Sequence, residues 1–155
     1  MRRLFPLLLL GILLLVAGCG GSNRLSADEY KARLKTLDQE VSKAEAAAQH
    51  AVQSAATVEQ IRSALTRVAG AQQHVGDEVA KLKPPKKAEA ANALLARAAH
   101  DLAAEIRDVV KKLAFVTKPQ AALGLIQNAF QNARGAKELD QAVGELKKLG
   151  FSAAS

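Results

Sequence analysis

The sequence predicts an all-α fold, an antiparallel (up-down-up-down) four-helix bundle that follows a short N-terminal leader. Apolar residues recur at helical spacing along four segments of the chain. Cap signals and prolines separate these segments. Runs of alternating apolar and polar residues, which would indicate strands, are almost absent. Links of about two to five residues join the segments, so successive helices are expected to be antiparallel neighbours.

The first two helices begin at matching cap signals. Ser26 with Glu29, and Thr57 with Gln60, each have the spacing of a capping box, in which two side chains satisfy amides at the start of a helix. Pro84-Pro85 is expected to end the second helix, because proline lacks an amide donor and clashes with the preceding turn. The apolar faces comprise Tyr30, Leu34, Leu37, Val41, Ala44, Ala48, Ala51 and Ala55, then Val58, Ile61, Leu65, Val68, Val75, Val79 and Leu82.

The third predicted helix runs from about Lys86 to Ala114 and the fourth starts at Thr117 and Pro119, a cap followed by a first-turn proline. Gly150 is expected to end the fourth helix, with Phe151 folding back on its last turn. The sequence leaves open whether the fourth helix is continuous through Gly135. The apolar faces comprise Ala88, Leu95, Ala99, Leu102, Ile106, Val109 and Leu113, then Ile126, Phe130, Ala133, Leu139, Val143 and Leu146.

The leader consists of Met1-Arg2-Arg3, an apolar run of 14 residues from Leu4 to Ala17, and small residues before Cys19. This order is typical of a secretory signal, and the run is shorter than the roughly 20 residues of a membrane-spanning helix. Cys19 is the only cysteine, so it has no disulfide partner. An ordinary secretory signal with a chance cysteine is therefore the less favoured alternative.

Val16-Ala17-Gly18-Cys19 resembles the lipobox of bacterial lipoproteins. The resemblance implies that a signal peptidase recognises Val16, Ala17 and Gly18, cleaves after Gly18, and leaves Cys19 carrying lipid, palmitate included. It also implies a membrane-anchored, extracytoplasmic protein, on the cell surface or the periplasmic side. The expected segments are the signal peptide at 1–18, the lipidated cysteine and a flexible tether of at most about 20 Å at 19–25, the bundle at 26–151 and a disordered tail at 152–155.

The composition of the mature chain fits one small helical domain. Removing residues 1–18 from 155 leaves 137 residues with 20 Lys and Arg against 15 Asp and Glu, a net charge of +5. The basic residues are spread along the chain, so we expect no nucleic-acid partner. Leu82-Lys83-Pro84-Pro85 and the ending Leu146 to Phe151 resemble segments of small helical bacterial lipoproteins. Murein-type lipoproteins attach to the wall through a C-terminal lysine, whereas this chain ends Ala153-Ala154-Ser155, so we expect no such attachment.

No motif indicates catalysis, a metal site or a cofactor. His50, His74 and His100 each lie beside an apolar face rather than in it, which favours surface histidines over a metal site. Asp101, Glu105 and Asp108 are expected to form an exposed face of the third helix. We expect ion pairs within that helix, from Arg97 to Asp101 and from Asp108 to Lys112.

Two polar features remain open from the sequence. Gln72 interrupts the apolar face of the second helix, where it would fix the register of the helices or lie at a widened, wet part of the bundle; the register role is favoured. The tether end of the bundle gathers basic residues that would contact an anionic membrane or, as we prefer, complement helix dipoles. They are Arg24, Lys31, Lys81, Lys83, Lys86, Lys87, Lys147 and Lys148, with the acids Asp28, Glu29, Asp77, Glu78, Glu89 and Glu145 at the same end.

Together these observations predict a membrane-anchored lipoprotein with a structural or protein-binding role in the bacterial cell envelope and no enzymatic activity. The expected partners are membrane lipid, through acylated Cys19, and an envelope protein. The alternative is a lipoprotein that binds a small ligand or a metal in the interior of the bundle.

Overall fold

The computed structural model describes residues 23–151, of which 84% are helical and none forms a strand. The prediction of an all-helical fold is therefore confirmed for this part of the chain. The helices are α1 (Ala27–Gln53), α2 (Val58–Lys81), α3 (Glu89–Leu113), α4 (Pro119–Asn132) and α5 (Arg134–Lys148), with a 3-10 turn at Lys86–Ala88. The predicted signal peptide, Cys19 and the tail at 152–155 lie outside the described residues.

Both predicted capping boxes are confirmed. The Ser26 hydroxyl accepts a hydrogen bond from the Glu29 amide at 3.3 Å, and the Glu29 carboxylate accepts one from the Ser26 amide at 2.8 Å. Thr57 and Gln60 make the equivalent pair of bonds at 3.3 and 3.1 Å. These local bonds satisfy amides that have no partner inside the helix, and so they determine where α1 and α2 begin.

The fourth predicted helix is two helices, because the chain is extended at Ala133 (φ −61°, ψ 119°). The break precedes Gly135, which lies in the first turn of α5. Pro119 lies in the first turn of α4 as expected, but the prediction of a Thr117 cap is wrong. Lys118 occupies the cap position and makes no side-chain bond there.

The end of α5 is a glycine-terminated turn, as predicted. Gly150 has φ +81°, a conformation that glycine adopts without steric cost. Its amide donates to the Lys147 carbonyl at 3.0 Å, and the Phe151 amide donates to the Leu146 carbonyl at 2.8 Å. The turn buries Phe151, whose ring meets that of Tyr30 edge to face with centroids 5.3 Å apart.

The core consists of two apolar clusters, and α3 packs against both α2 and α5 to form much of it. One cluster surrounds Tyr30 and Phe151, and the other surrounds Ile61 and Ile106. Helix α1 packs against α2, whereas α4 makes few contacts with α2 and α3 and buries only Ala122 of its own residues. Packing of the other helices, rather than α4, therefore supplies the bulk of the buried apolar surface.

Candidate binding groove

A mostly apolar groove of about 280 Å³ lies between α1 and α5, with α2 and α3 forming its floor. We call it the α1/α5 groove. Its walls are Leu34, Leu37 and Val41 from α1, and Leu139, Val143 and Leu146 from α5. The floor includes Val75, Val79 and Leu95. A concave apolar surface with a few polar groups is the usual form of a binding site.

One wall of the groove is held in place by α3. The Glu105 carboxylate accepts hydrogen bonds from the amides of Arg134 and Gly135, at 3.0 and 3.1 Å, and thereby caps α5 from a neighbouring helix. Asp101 accepts a bond from the Arg134 guanidinium at 2.7 Å. A methyl group on Gly135 would overlap the backbone of Leu102, so glycine permits this close approach.

These contacts correct the prediction for the acids of the third helix. Asp101 and Glu105 bind α5 instead of forming an exposed face paired within α3, and Arg97 lies 3.6 Å from Glu138 of α5 instead of pairing with Asp101. Asp108 is exposed as expected, but its partner is Lys111 at 2.8 Å. Sequence spacing allows pairs within one helix, and it carries no information about a partner on another helix.

The other wall of the groove, α1, is held by α2 rather than by α5. The Leu25 amide donates to the Lys83 carbonyl at 2.8 Å, and Glu40 lies 3.5 Å from His74. Because α1 attaches to α2 and α5 attaches to α3, a gap remains between α1 and α5 along the groove.

A buried set of hydrogen bonds lies next to Val79 and Phe151, two residues of the groove lining. The Tyr30 hydroxyl donates to Oδ1 of Asn92 at 3.0 Å, and Nδ2 of Asn92 donates to the Val79 carbonyl at 3.0 Å. Tyr30 is fully buried, and burial raises the pKa of its phenol to about 12. These two hydrogen bonds join α1, α2 and α3 next to the Tyr30–Phe151 contact.

A second polar pair, Glu45 and Gln72, lies on the groove lining. Gln72 is only 1% exposed, and its Nε2 donates to Oε1 of Glu45 at 3.3 Å. Partial burial raises the pKa of the Glu45 carboxyl, and the nearby Asp38 acts in the same direction. Gln72 thus links α1 to α2 through this bond and also lines the groove.

Within residues 23–151, Asp38 and Glu45 are the only ionisable groups of the groove lining. The acidic lining contrasts with the net charge of the whole chain, which is +7. Groups with a shifted pKa are common at binding sites, because the burial and charge that shift the pKa also serve recognition. The groove therefore combines apolar walls with local negative charge.

The three histidines do not come together. His50 lies near the end of α1, His74 pairs with Glu40, and His100 pairs with Asp77 at 2.9 Å. Within residues 23–151 no three His, Cys, Asp or Glu side chains are grouped so that they could hold a metal ion. Hydrogen bonds from Gln73 and then His100 lower the pKa of the Asp77 carboxyl.

A larger cleft of about 620 Å³ lies between α1 and α2, and Leu37 lines both this cleft and the α1/α5 groove. Its lining includes Glu40 with His74 and Glu78 with Lys81, the latter pair 2.7 Å apart. These ionisable groups pair with each other across or along the helices. Arg33 and Lys83 line it as well, so the cleft is more polar than the α1/α5 groove.

The start of α1, the Pro84-Pro85 loop and the end of α5 meet at one end of the molecule, in agreement with the sequence prediction. Arg24 donates to the Pro84 carbonyl at 2.9 Å. Lys87 donates to the Leu149 carbonyl at 3.1 Å and lies 4.7 Å from the centre of the Phe151 ring. Arg24 and Leu25, expected to belong to a flexible tether, are thus bound to the loop.

Sequence reasoning missed two residues of this region. Asn92 interrupts the apolar face of α3 between Ala88 and Leu95, and it is only 6% exposed. That interruption is the same kind of signal that identified Gln72. Glu45 carries no such signal, because an acid beside an apolar face is ordinary on a helix surface.

No helix among residues 23–151 is long and apolar enough to cross a membrane. Comparison of the chain with protein-family models, with curated proteins and with solved structures finds no match.

Proposed function

We propose that this chain is a bacterial lipoprotein, anchored by lipid on Cys19 at the extracytoplasmic face of a membrane, whose helical domain binds another envelope protein without catalysing a reaction. The observation that carries the proposal is the sequence Val16-Ala17-Gly18-Cys19 directly after a basic and apolar leader. One acyl chain binds a bilayer only marginally, so stable anchoring requires the two or three chains expected on a lipoprotein.

The contacts of Arg24 and Leu25 support a domain held close to the bilayer. Because Arg24 binds the loop at Pro84, the free tether is the segment between Cys19 and Arg24. Its reach is at most about 18 Å. The end of the domain that contains Pro84-Pro85 and Phe151 would then face the membrane.

We also propose that α1, α2, α3 and α5 form an up-down-up-down bundle to which α4 is added. Contacts whose positions rise along one helix and fall along the next support this arrangement. Glu45 in α1 contacts Gln72, while Leu25, just before α1, contacts Lys83, just after α2. The contacts of Glu105 with Gly135 and of Lys87 with Leu149 follow the same reversed order for α3 and α5.

The α1/α5 groove supports a binding role, and it also keeps a second candidate function open. An apolar groove open along its length accommodates a protein segment. The same groove, with the Glu45–Gln72 pair on its lining, would suit a small apolar ligand that carries a hydrogen-bonding group. This small-ligand alternative is the runner-up.

The anchor is tested by Cys19→Ala, with Ser22→Ala as the matched control. Both variants and the wild type are expressed in a bacterial host, labelled with an alkyne analogue of palmitate, and fractionated. We expect label and membrane association for the wild type and Ser22→Ala, and neither for Cys19→Ala. Retention of Cys19→Ala in the membrane fraction, or absence of label on the wild type, would contradict lipidation.

Protein binding is tested by photo-crosslinking in the native membrane. A photoreactive amino acid replaces Val143 in the groove or Leu123 on α4, two side chains that are 52% and 42% exposed. We expect a discrete crosslinked protein from at least one position in the wild-type background and a much weaker product with Cys19→Ala. Absence of any product from both positions would argue against a protein-binding role.

A further inference from the structure

The α1/α5 groove is bounded on both sides by helix faces, as a packing site for a further helix would be. Its α1 wall extends from Leu34 to Glu45, which is about 16 Å, or roughly three helical turns. The facing wall on α5 extends from Leu139 to Leu146 and includes Val143, whose side chain is 52% exposed. Both walls are rows of aliphatic side chains at helical spacing. A third row, from an amphipathic helix, would pack between them in the way that one helix fills the groove between two others.

The charge of the groove restricts the occupant. Among the described residues, Asp38 and Glu45 are the only ionisable groups of the groove lining, and both are exposed at its rim before anything binds. An occupant without a cation would desolvate Glu45 without compensation. A Lys or Arg beside the apolar stripe would pair with Asp38 or Glu45 at the rim. The groove therefore complements a basic amphipathic helix.

Other occupants fit this charge less well. A second copy that presented the same groove would set Asp38 and Glu45 against the same two acids. The helix α4 exposes Leu123 and Phe130, but it contains no charged residue and so offers no cation to the groove. Anionic lipid headgroups would be repelled by the same acids.

We propose that the α1/α5 groove is the docking site for an amphipathic helix of a partner protein, with about two turns of apolar stripe and a Lys or Arg that pairs with Glu45 or Asp38. This inference rests on the protein-binding role proposed above, and it specifies the surface and the chemistry of the partner. The contact area is small, so the affinity is expected to be in the micromolar range.

The test uses two synthetic amphipathic peptides of about four turns, identical except for Lys or Glu at one position beside the leucine stripe. Fluorescently labelled peptides are titrated against the full chain in nanodiscs of neutral lipid, and empty nanodiscs correct for membrane partition. We expect the Lys peptide to bind about fivefold more tightly than the Glu peptide, the upper range for a rim ion pair. Glu45→Lys should reverse the preference.

A pair of matched variants tests the location of the site. Val143→Glu places a charge on the groove wall, and Leu123→Glu places one on α4, at similarly exposed positions that should both tolerate the change. We expect Val143→Glu to weaken binding of the Lys peptide more than about tenfold, because the acid is buried against the peptide. Leu123→Glu should leave the affinity within about twofold, and circular dichroism verifies that both variants are folded.

Several results would overturn the proposal. One is equal binding of both peptides, or binding that Val143→Glu does not affect. Another is self-association of the chain that Val143→Glu abolishes, which would identify a second copy as the occupant. Tight binding of a fluorescent alkylamine without binding of either peptide would favour the small-ligand alternative. If both peptides fail to bind while Leu123 still crosslinks to a partner in membranes, the groove assignment is wrong and the protein-binding role stands.

Discussion

The Tyr30 hydroxyl donates a hydrogen bond to Oδ1 of Asn92 at 3.0 Å, and both side chains are buried. Asn92 in turn donates to the Val79 carbonyl, so one asparagine ties α1 and α3 to the last turn of α2. Buried polar groups are costly when they lack partners. The hydrogen bonds among Tyr30, Asn92 and Val79 therefore hold α1, α2 and α3 together at the end of the molecule where α1 begins.

Tyr30→Phe should destabilise the protein, because it leaves Oδ1 of Asn92 buried without a donor. We expect a loss of about 1–2 kcal/mol in the free energy of unfolding, measured by urea denaturation. Thr66→Ala is the matched control, since it removes an exposed hydroxyl that donates only to the Arg62 carbonyl, and it should change stability by less than about 0.5 kcal/mol. Equal stability of Tyr30→Phe and the wild type would mean that the buried bond is not formed.

Tyr30 is the only tyrosine in the chain, so its ionisation can be followed directly by the absorbance of the phenolate. Burial raises its pKa from 10.0 to about 12. Because the folded state holds the proton more tightly, this contribution to stability is complete below pH 10.0 and is lost as the pH rises through about 12. Titration of the chain in urea should give a value near 10. Ionisation near 10 in the folded protein would contradict the burial.

Two glycines of α5 should respond to alanine in opposite directions. Gly135→Ala places a methyl group against the backbone of Leu102, which should displace α5 and cost about 1–3 kcal/mol. Gly144→Ala meets no atom within 4 Å and should stabilise the protein by about 0.5–1 kcal/mol, because alanine favours the helix. Thermal and urea unfolding of both variants test this difference. Two variants with the same stability would indicate that α5 does not approach α3 closely.

The cap that Glu105 provides for α5 predicts an asymmetry between two acids of the same helix. Glu105→Gln replaces one of the two acceptor oxygens by an NH2 group, so one of the bonds to the amides of Arg134 and Gly135 is lost. It also removes a negative charge from the N-terminus of α5, and the expected loss is about 1 kcal/mol. Asp108→Asn disrupts an exposed pair with Lys111 and should cost less than about 0.5 kcal/mol. The reverse order of effects in chemical denaturation would rule out capping by Glu105.

Glu45→Gln should make the protein more stable at neutral pH. The raised pKa of Glu45 means that the folded state binds its proton more tightly than the unfolded state, so stability falls as the pH rises above the model-compound value of 4.5. The amide of the variant has no charge to desolvate. We expect its advantage over the wild type to disappear when unfolding is measured below pH 4.5. A lower stability of the variant at neutral pH would show that the charge of Glu45 is satisfied within the folded chain.

The outcome for Gly135 shows where sequence reasoning reached its limit. A glycine inside a helical pattern indicates a kink, a split or a close contact, and the sequence does not distinguish among these. The structure has a split at Ala133 and a close contact at Gly135, because Glu105 binds amides that a continuous helix would have used. The partner of Asp101 could not be predicted from the sequence either, because Arg134 lies on another helix.

What the sequence determined by itself is the local structure. The caps at Ser26 and Thr57 and the turn at Gly150 depend on residues within five positions of each other. Their hydrogen bonds can therefore be predicted from the order of residues along the chain. Only the tertiary structure decided the rest. Tyr30 and Asn92 are 62 positions apart, and Glu105 and Gly135 are 30 apart. The α1/α5 groove exists because such distant pairs hold each outer helix to an inner one, and helical spacing specifies which face is apolar without specifying what covers it.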